Sequence, residues 1–256
     1  MNAHDLITFV EELDGHGLNP DEGVLFGDPT RHSNSVLLTW MPTVKALEHA
    51  AVRKIPLVLC HEAFYLRPQG RPLDPHHLTW RANRRRVETA VRGTLTILRI
   101  HTTLDRICIW DDFVAALGVR DPNPGTGWNK VLPIDPKSVG ELVQHCKNSL
   151  GLETVRVCGD ADTVAKRAGF PWGGLGLDSN LGYVQRCIEL GAEVLVAGEC
   201  DEYGMTLAND SGVPMIETGH AVSETIGLVT FRDRLANAFP DIRFEVFEDT
   251  RPYRFA

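Results

Sequence analysis

Three places in the chain set an imidazole beside a carboxylate at what reads as the end of a strand. His101 opens the run His-Thr-Thr-Leu-Asp-Arg, four residues before Asp105. Residues 219–224, Gly-His-Ala-Val-Ser-Glu, repeat that spacing with His220 and Glu224, and a third apolar run delivers His61 directly followed by Glu62. Neutral imidazole nitrogen and anionic oxygen suit one or two divalent ions, with zinc, manganese, iron or cobalt preferred over calcium. A single histidine at a strand end is ordinarily a hydrogen-bonded structural residue; three that coincide with carboxylates argue for metal. Glu62, Asp105, Glu199 and Glu224 are more carboxylates than one ion requires, so at least one is expected to bridge two metals. Two such ions lower the pKa of a bound water and polarise a substrate oxygen together, which points to hydrolysis. Cys60, beside His61, occupies an apolar strand position and reads as packing rather than as a ligand or reactive thiol.

The elements that must position these groups follow from periodicity. β-branched and apolar runs predict strands at 35–39, 55–60, 94–100, 154–158, 194–197, 213–216 and 242–247. Helical spacing predicts helices at 3–13, 42–53, 80–92, 111–117, 137–150, 180–190, 202–209 and 223–239. Residues 16–35, rich in Gly, Pro and Asp, read as an irregular surface loop. The stretch 121–136, with four prolines and two glycines, reads as the connection between halves. Strand ends of the first half carry His61-Glu62, then His101 and Asp105; those of the second carry Glu199, then His220 and Glu224. The expectation is an α/β protein of two pseudo-repeated lobes with a metal cleft between them: 1–125, a linker at 126–136, and 137–256. For the cations to be shared, His61, Asp105, His220 and Glu224 must converge.

Other features narrow the function. A net charge of −8 over 256 residues argues against broad nucleic-acid binding. No apolar run approaches the roughly 18 residues of a membrane span, and Asp5, Glu11 and Glu12 stand where a targeting segment would be basic; a cytoplasmic location is expected. Six cysteines without a Cys-x-x-Cys pair indicate neither a disulfide framework nor a zinc knuckle. Arg81, Arg84, Arg85, Arg86 and Arg92 share one predicted helix and read as a solvated face, with anion recognition near the site as the sharper alternative. The glycines of 173–180 fit no phosphate-loop spacing and read as a turn needing positive φ, with Trp172 beside them as a packing residue.

Taken together, Met41-Pro42-Thr43, Leu59-Cys60-His61-Glu62, His101-Thr102-Thr103-Leu104-Asp105, Ala197-Gly198-Glu199 and the run from Gly219 to Glu224 resemble the Nif-three-like dinuclear-metal-centre proteins, homologues of GTP cyclohydrolase I, type two. The resemblance runs from Val36 to Glu248. It implies a two-lobed, three-layer α/β/α fold, a hexameric ring and two metals per subunit. By motif position His61, Asp105, His220 and Glu224 would be ligands, and His101 a ligand or a base. Many members carry His-His-Pro where this chain has His61-Glu62-Ala63, so Glu62 would replace a nitrogen ligand by oxygen, favouring manganese, iron or magnesium. Longer relatives carry an extra domain for which 121–136 leaves no room. The expected activity is metal-dependent hydrolysis of a small phosphorylated or heterocyclic compound, with His101 or Glu62 handling protons. The rival expectation is a non-catalytic, metal-stabilised scaffold or metallochaperone with protein partners.

Overall fold

The computed structural model describes residues 1–68, 71–125, 127–248 and 252–254. Thr126, the first residue of the expected linker, and positions 249–251 and 255–256 of the expected second lobe lie outside the described residues. In chain order the elements are α1 (Ala3–Asp14), β1 (Gly23–Phe26), β2 (Ser35–Thr39), α2 (Val44–Val52), β3 (Leu57–Cys60), α3 (Pro75–Leu78), α4 (Arg81–Gly93), β4 (Thr96–Arg99) and α5 (Thr102–Leu104). A π-helical turn (Asp105–Ile109) follows, then α6 (Trp110–Ala116), β5 (Val131–Ser138), α7 (Val139–Leu150), β6 (Arg156–Cys158) and β7 (Val164–Gly169). The chain ends through α8 (Leu181–Glu189), β8 (Val194–Ala197), α9 (Glu202–Asp210), β9 (Met215–Glu217), α10 (His220–Ala238) and β10 (Arg243–Phe247).

Two compact units result, each with its own five-stranded sheet: one of Met1–Ile107 with Leu228–Ala256, the other of Cys108–Gly227. This division differs from the lobe boundaries expected from composition. The C-terminal segment returns to the first unit because β10 pairs in parallel with β2, Phe244 opposite Val36 and Val246 opposite Leu38. Part of the expected linker is strand: β5 runs antiparallel to β7. Pro133 and Pro136 are tolerated there because β5 lies at a sheet edge and its register shifts between Pro133 and Lys137.

Strand order supports the internal repeat. In the first unit β1-β4-β3-β2 lie side by side; in the second, β6-β9-β8-β7. In both sets the first strand in sequence is antiparallel to the fourth and the other three are mutually parallel. A helix, α1 or α7, precedes each set. Only the fifth strands differ, β10 joining β2 in parallel and β5 joining β7 antiparallel.

The central parallel strands are mostly apolar, as expected of strands covered on both faces. Every residue of β2, β3 and β8 is buried. In β4 the sequence is Thr-Ile-Leu-Arg, also wholly buried, so Arg99 is a charge inside the sheet. Helix ends are fixed locally: Asn2 and Asp5 form a capping box on α1, Ser138 and Glu141 one on α7, and Thr43 caps α2.

Register explains where the functional side chains emerge. Thr39 lies opposite Cys60, and Cys60 opposite Arg99, so β2, β3 and β4 end level. His61-Glu62 and His101 therefore leave the sheet at one edge, the carboxyl edge of parallel strands where α/β sheets hold their ligands. In the second unit Ala197 lies opposite Glu217, so Gly198-Glu199 and Gly219-His220 emerge together in the same way.

Candidate metal centre

In the first unit His61 is fully buried, its backbone N–H donating to the carbonyls of Thr39 and Trp40 at 3.2 and 3.1 Å. A nitrogen of His61, a nitrogen of His101 and a carboxylate oxygen of Glu62 all lie within 4.8 Å of one another. Asp105 lies beside His61, its Oδ1 3.8 Å from His61 Nε2. His101 Nε2 stands 4.0 Å from Glu62 Oε1. The 3.8 and 4.0 Å separations exceed hydrogen-bond length, yet fall under the ~4.4 Å that two ligands on opposite sides of an ion at about 2.2 Å would span. His61, His101 and the Glu62 carboxylate could hold a divalent cation, with Asp105 beside His61.

The second unit carries a smaller set. His220 Nε2 faces Glu224 Oε2 at 3.3 Å, the separation of neighbouring ligands on one ion, and His220 Nδ1 is hydrogen-bonded to Glu199 Oε2 at 2.9 Å. Both ligand candidates lie in the first turns of α10, so the four-residue spacing places them on one helix face. The glycine stretch forms the wall behind them. Gly173 adopts φ +55°, and a Cβ there would stand 2.1 Å from Glu224 Oε1. Its N–H donates to Ser223 Oγ (2.9 Å), and its carbonyl accepts from the Glu199 N–H (2.7 Å). Gly198 must also lack a side chain, because a Cβ would meet the Gly173 backbone at 2.4 Å. The expected positive-φ turn is present, and its backbone lies against the His220 and Glu224 side chains.

Three residues near His101 were not singled out in the sequence. Glu22 accepts from the N–H groups of His101 (2.6 Å) and Thr103 (2.8 Å) and from the Thr103 hydroxyl (2.6 Å). Burial opposes its charge, but the bonds from Thr103 and Asn19 prevail and hold the carboxyl below its usual range. Asp21 Oδ2 lies 3.4 Å from His101 Nδ1 and accepts from Arg99 Nη1 at 2.6 Å. His101 foremost, against partial burial and with Arg99 assisting, holds the Asp21 carboxyl well below the ordinary carboxylate range. Arg99 also donates from Nε to the His61 carbonyl at 3.0 Å and stands 3.9 Å from Glu62. It ties three parts of the cluster together. Its signal in the sequence is an arginine in an apolar strand; Asp21 and Glu22 had none, since β1, which follows them, is four residues within an expected loop.

Asp105 begins the π-helical turn, a widened helix geometry common at functional positions. Burial pushes the Cys60 thiol up to about 12, and Cys60 is fully buried, in keeping with a packing role. Trp172 is also a packing residue, edge-on to Trp110, Trp128 and Tyr183. The arginine helix is divided: Arg81, Arg84, Arg85 and Arg92 are exposed. Arg86 is buried and donates to the carbonyls of Ala63 and Phe64 at 3.1 and 2.8 Å, bracing the loop after His61-Glu62.

The family model for Duf34/NIF3 (NGG1p interacting factor 3) matches residues 1–252. The chain belongs to the Duf34/NIF3 family. Among curated Duf34/NIF3 relatives, a "GTP cyclohydrolase 1 type 2 homolog" of Clostridium perfringens is 21% identical, with 100% of both chains covered. One of the same name from Pseudomonas aeruginosa is 26% identical over 60% of this chain and 62% of its own. Among solved structures, a Bacillus cereus protein related to NIF3 superposes with a TM-score of 0.83 at 14% identity, covering 100% of this chain and 99% of the other. That likeness shows the Duf34/NIF3 fold: α/β, in two lobes. Among the described residues no helix is long and apolar enough to cross a membrane.

Proposed function

We propose that this Duf34/NIF3 protein binds two divalent ions through His61, Glu62, His101, Asp105, His220 and Glu224, and that it is a metal-dependent hydrolase of a small phosphorylated or heterocyclic compound. The observation that carries the reading is the cluster of His61, Glu62 and His101, whose ligand atoms lie within 4.8 Å of one another. Divalent ions in such a donor set supply Lewis-acid polarisation of a substrate oxygen and acidify the water they hold. The chain's own groups supply the rest. The Glu62 carboxylate, which faces His101 Nε2, can hold or pass a proton on the oxygen that does not ligate, and His101 does so at Nε2 only where that ring stands outside the ligand set. The relatives' name, a cyclohydrolase homolog, favours attack of water on a ring carbon over other hydrolyses.

The test is turnover. A panel of phosphorylated and heterocyclic compounds is assayed with zinc-, manganese- and iron-loaded protein, and with Asp105→Ala. Metal-dependent hydrolysis abolished by Asp105→Ala, with the metal-free melting temperature retained, supports the enzyme. The second reading, a metal-stabilised scaffold, draws on the family's description as an interacting factor. It requires metal-dependent partner binding with no turnover across the panel. A homohexameric ring and a cytoplasmic location belong to this proposal through the resemblance; light scattering on purified protein checks the first.

A further inference from the structure

We infer that Glu199 sets the tautomer of His220, leaving Nε2 as the nitrogen that meets a cation. The inference rests on the metal reading above and assigns a positioning role to a carboxylate outside the proposed ligand set.

The geometry is clearest at His220. An ionised carboxylate only accepts hydrogen bonds. Glu199 Oε2 lies 2.9 Å from Nδ1 and Glu224 Oε2 3.3 Å from Nε2. Each carboxylate favours an N–H, but a neutral ring has one, and it goes to the shorter contact at Nδ1, leaving Nε2 bare. Glu199 is held in place from its backbone, whose N–H donates to the Gly173 carbonyl at 2.7 Å. Its side chain is 46% exposed, so removing it opens no core cavity.

His101 is placed less closely: Asp21 Oδ2 stands 3.4 Å from its Nδ1, beyond hydrogen-bond length, and Nε2 is 4.0 Å from Glu62 Oε1, so the inference is confined to His220. A carboxylate behind a ligating imidazole fixes ring orientation and raises ligand basicity, and its loss typically weakens metal binding by about 10- to 100-fold.

The experiment uses the full chain, metal-free, at a pH where imidazole is neutral. Long-range ¹⁵N–¹H spectra read the tautomers, with the His220 signals assigned from a His220→Gln sample, and zinc affinity is measured by competition with a chromophoric chelator. The wild type is expected to show Nδ1–H at His220. Glu199→Ala should move the ring toward Nε2–H and weaken zinc binding about 10- to 100-fold, with the metal-free melting temperature unchanged. Glu199→Gln, whose amide oxygen still accepts from Nδ1–H, should keep the tautomer and lose less affinity. An Nε2–H ring in the wild type, or an unchanged tautomer in Glu199→Ala, would overturn the inference; affinity lost without a tautomer change would make Glu199 a ligand instead. If the wild type takes up no zinc, the metal reading fails, and the tautomer spectra alone still decide this inference.

Discussion

Arg106 closes on Asp14 with two hydrogen bonds, Nε to Oδ1 at 2.9 Å and Nη2 to Oδ2 at 2.6 Å. The carboxylate is 4% exposed, and the guanidinium belongs to the residue after Asp105. The pair anchors the π-helical turn to the end of α1, and the Asp14 bond raises the affinity of Arg106 for its proton. Removing one partner leaves a nearly buried charge unmatched. Arg106→Ala should therefore cost about 2 kcal/mol, between the values typical of surface and of buried pairs. Arg106→Lys, unable to bridge both oxygens, should lose about half of that. Urea unfolding checks both, and a loss within error would show that the turn is held by other contacts.

Glu245 on β10 meets His49 Nε2 of α2 at 2.5 Å and Arg53 Nη2, just past that helix, at 3.1 Å. His49 foremost, against slight burial and with Arg53, lowers its carboxyl from the ordinary 4.5. A carboxyl depressed in the folded state adds stability that is present above the unfolded pKa and is lost as pH falls through the folded one. Glu245→Gln should accordingly be less stable than wild type near neutrality, with the gap closing below about pH 4. Melting temperatures from pH 3 to 7 measure the gap; one that widens on acidification would refute the sign.

Gly173 leaves no space for a side chain beside Glu224. Gly173→Ala combines φ +55° with a Cβ 2.1 Å from Glu224 Oε1, so the carboxylate must swing away from His220. The backbone strain alone is on the order of 1 to 3 kcal/mol. Beyond the lower melting temperature, the further rise produced by adding metal should shrink. A full metal-dependent rise in this variant would mean that Glu224 is not a ligand.

Glu62 is the oxygen donor in the group it forms with His61 and His101. Glu62→His should move metal preference toward zinc and away from manganese, since imidazole suits the borderline ion and carboxylate the harder one. Metal content after incubation with equal zinc and manganese provides the comparison, and an unchanged ratio would place Glu62 outside the coordination sphere.

Most of the parallel framework was legible because buried strands must be apolar runs: β2 and β8 fall at 35–39 and 194–197 as read from the sequence, and β3, β4 and β9 lie within two residues of their readings. The histidine and carboxylate pairs were legible for the same reason, since a strand end shows itself where an apolar run stops. β1, β5 and β7 were not. β1 sits among Gly, Pro and Asp and reads as loop, β5 falls largely in the Pro-rich connection, and β7, Val-Ala-Lys-Arg-Ala-Gly, has neither apolar alternation nor β-branched density. The cost was local but real: Asp21 and Glu22 precede β1, and only its pairing with β4 brings them to His101. The return of β10 to β2 was invisible as well, because nothing in Arg243–Phe247 specifies its partner. Arg86 shows the limit of charge patterning. Its neighbours Arg84 and Arg85 are the solvated face expected of the helix, while Arg86 points inward to two carbonyls.

The central claim is that this chain holds metal on the residues named. The most direct measurement is the metal content per chain, by inductively coupled plasma mass spectrometry, of protein purified without chelators and of His61→Ala and His220→Ala variants prepared alongside. The account predicts about two equivalents of divalent metal in the wild type, as a two-metal site requires, and a loss of metal in each variant. Metal-free wild-type protein that also fails to take up zinc, manganese or iron on reconstitution, or variants that retain the full content, would contradict it.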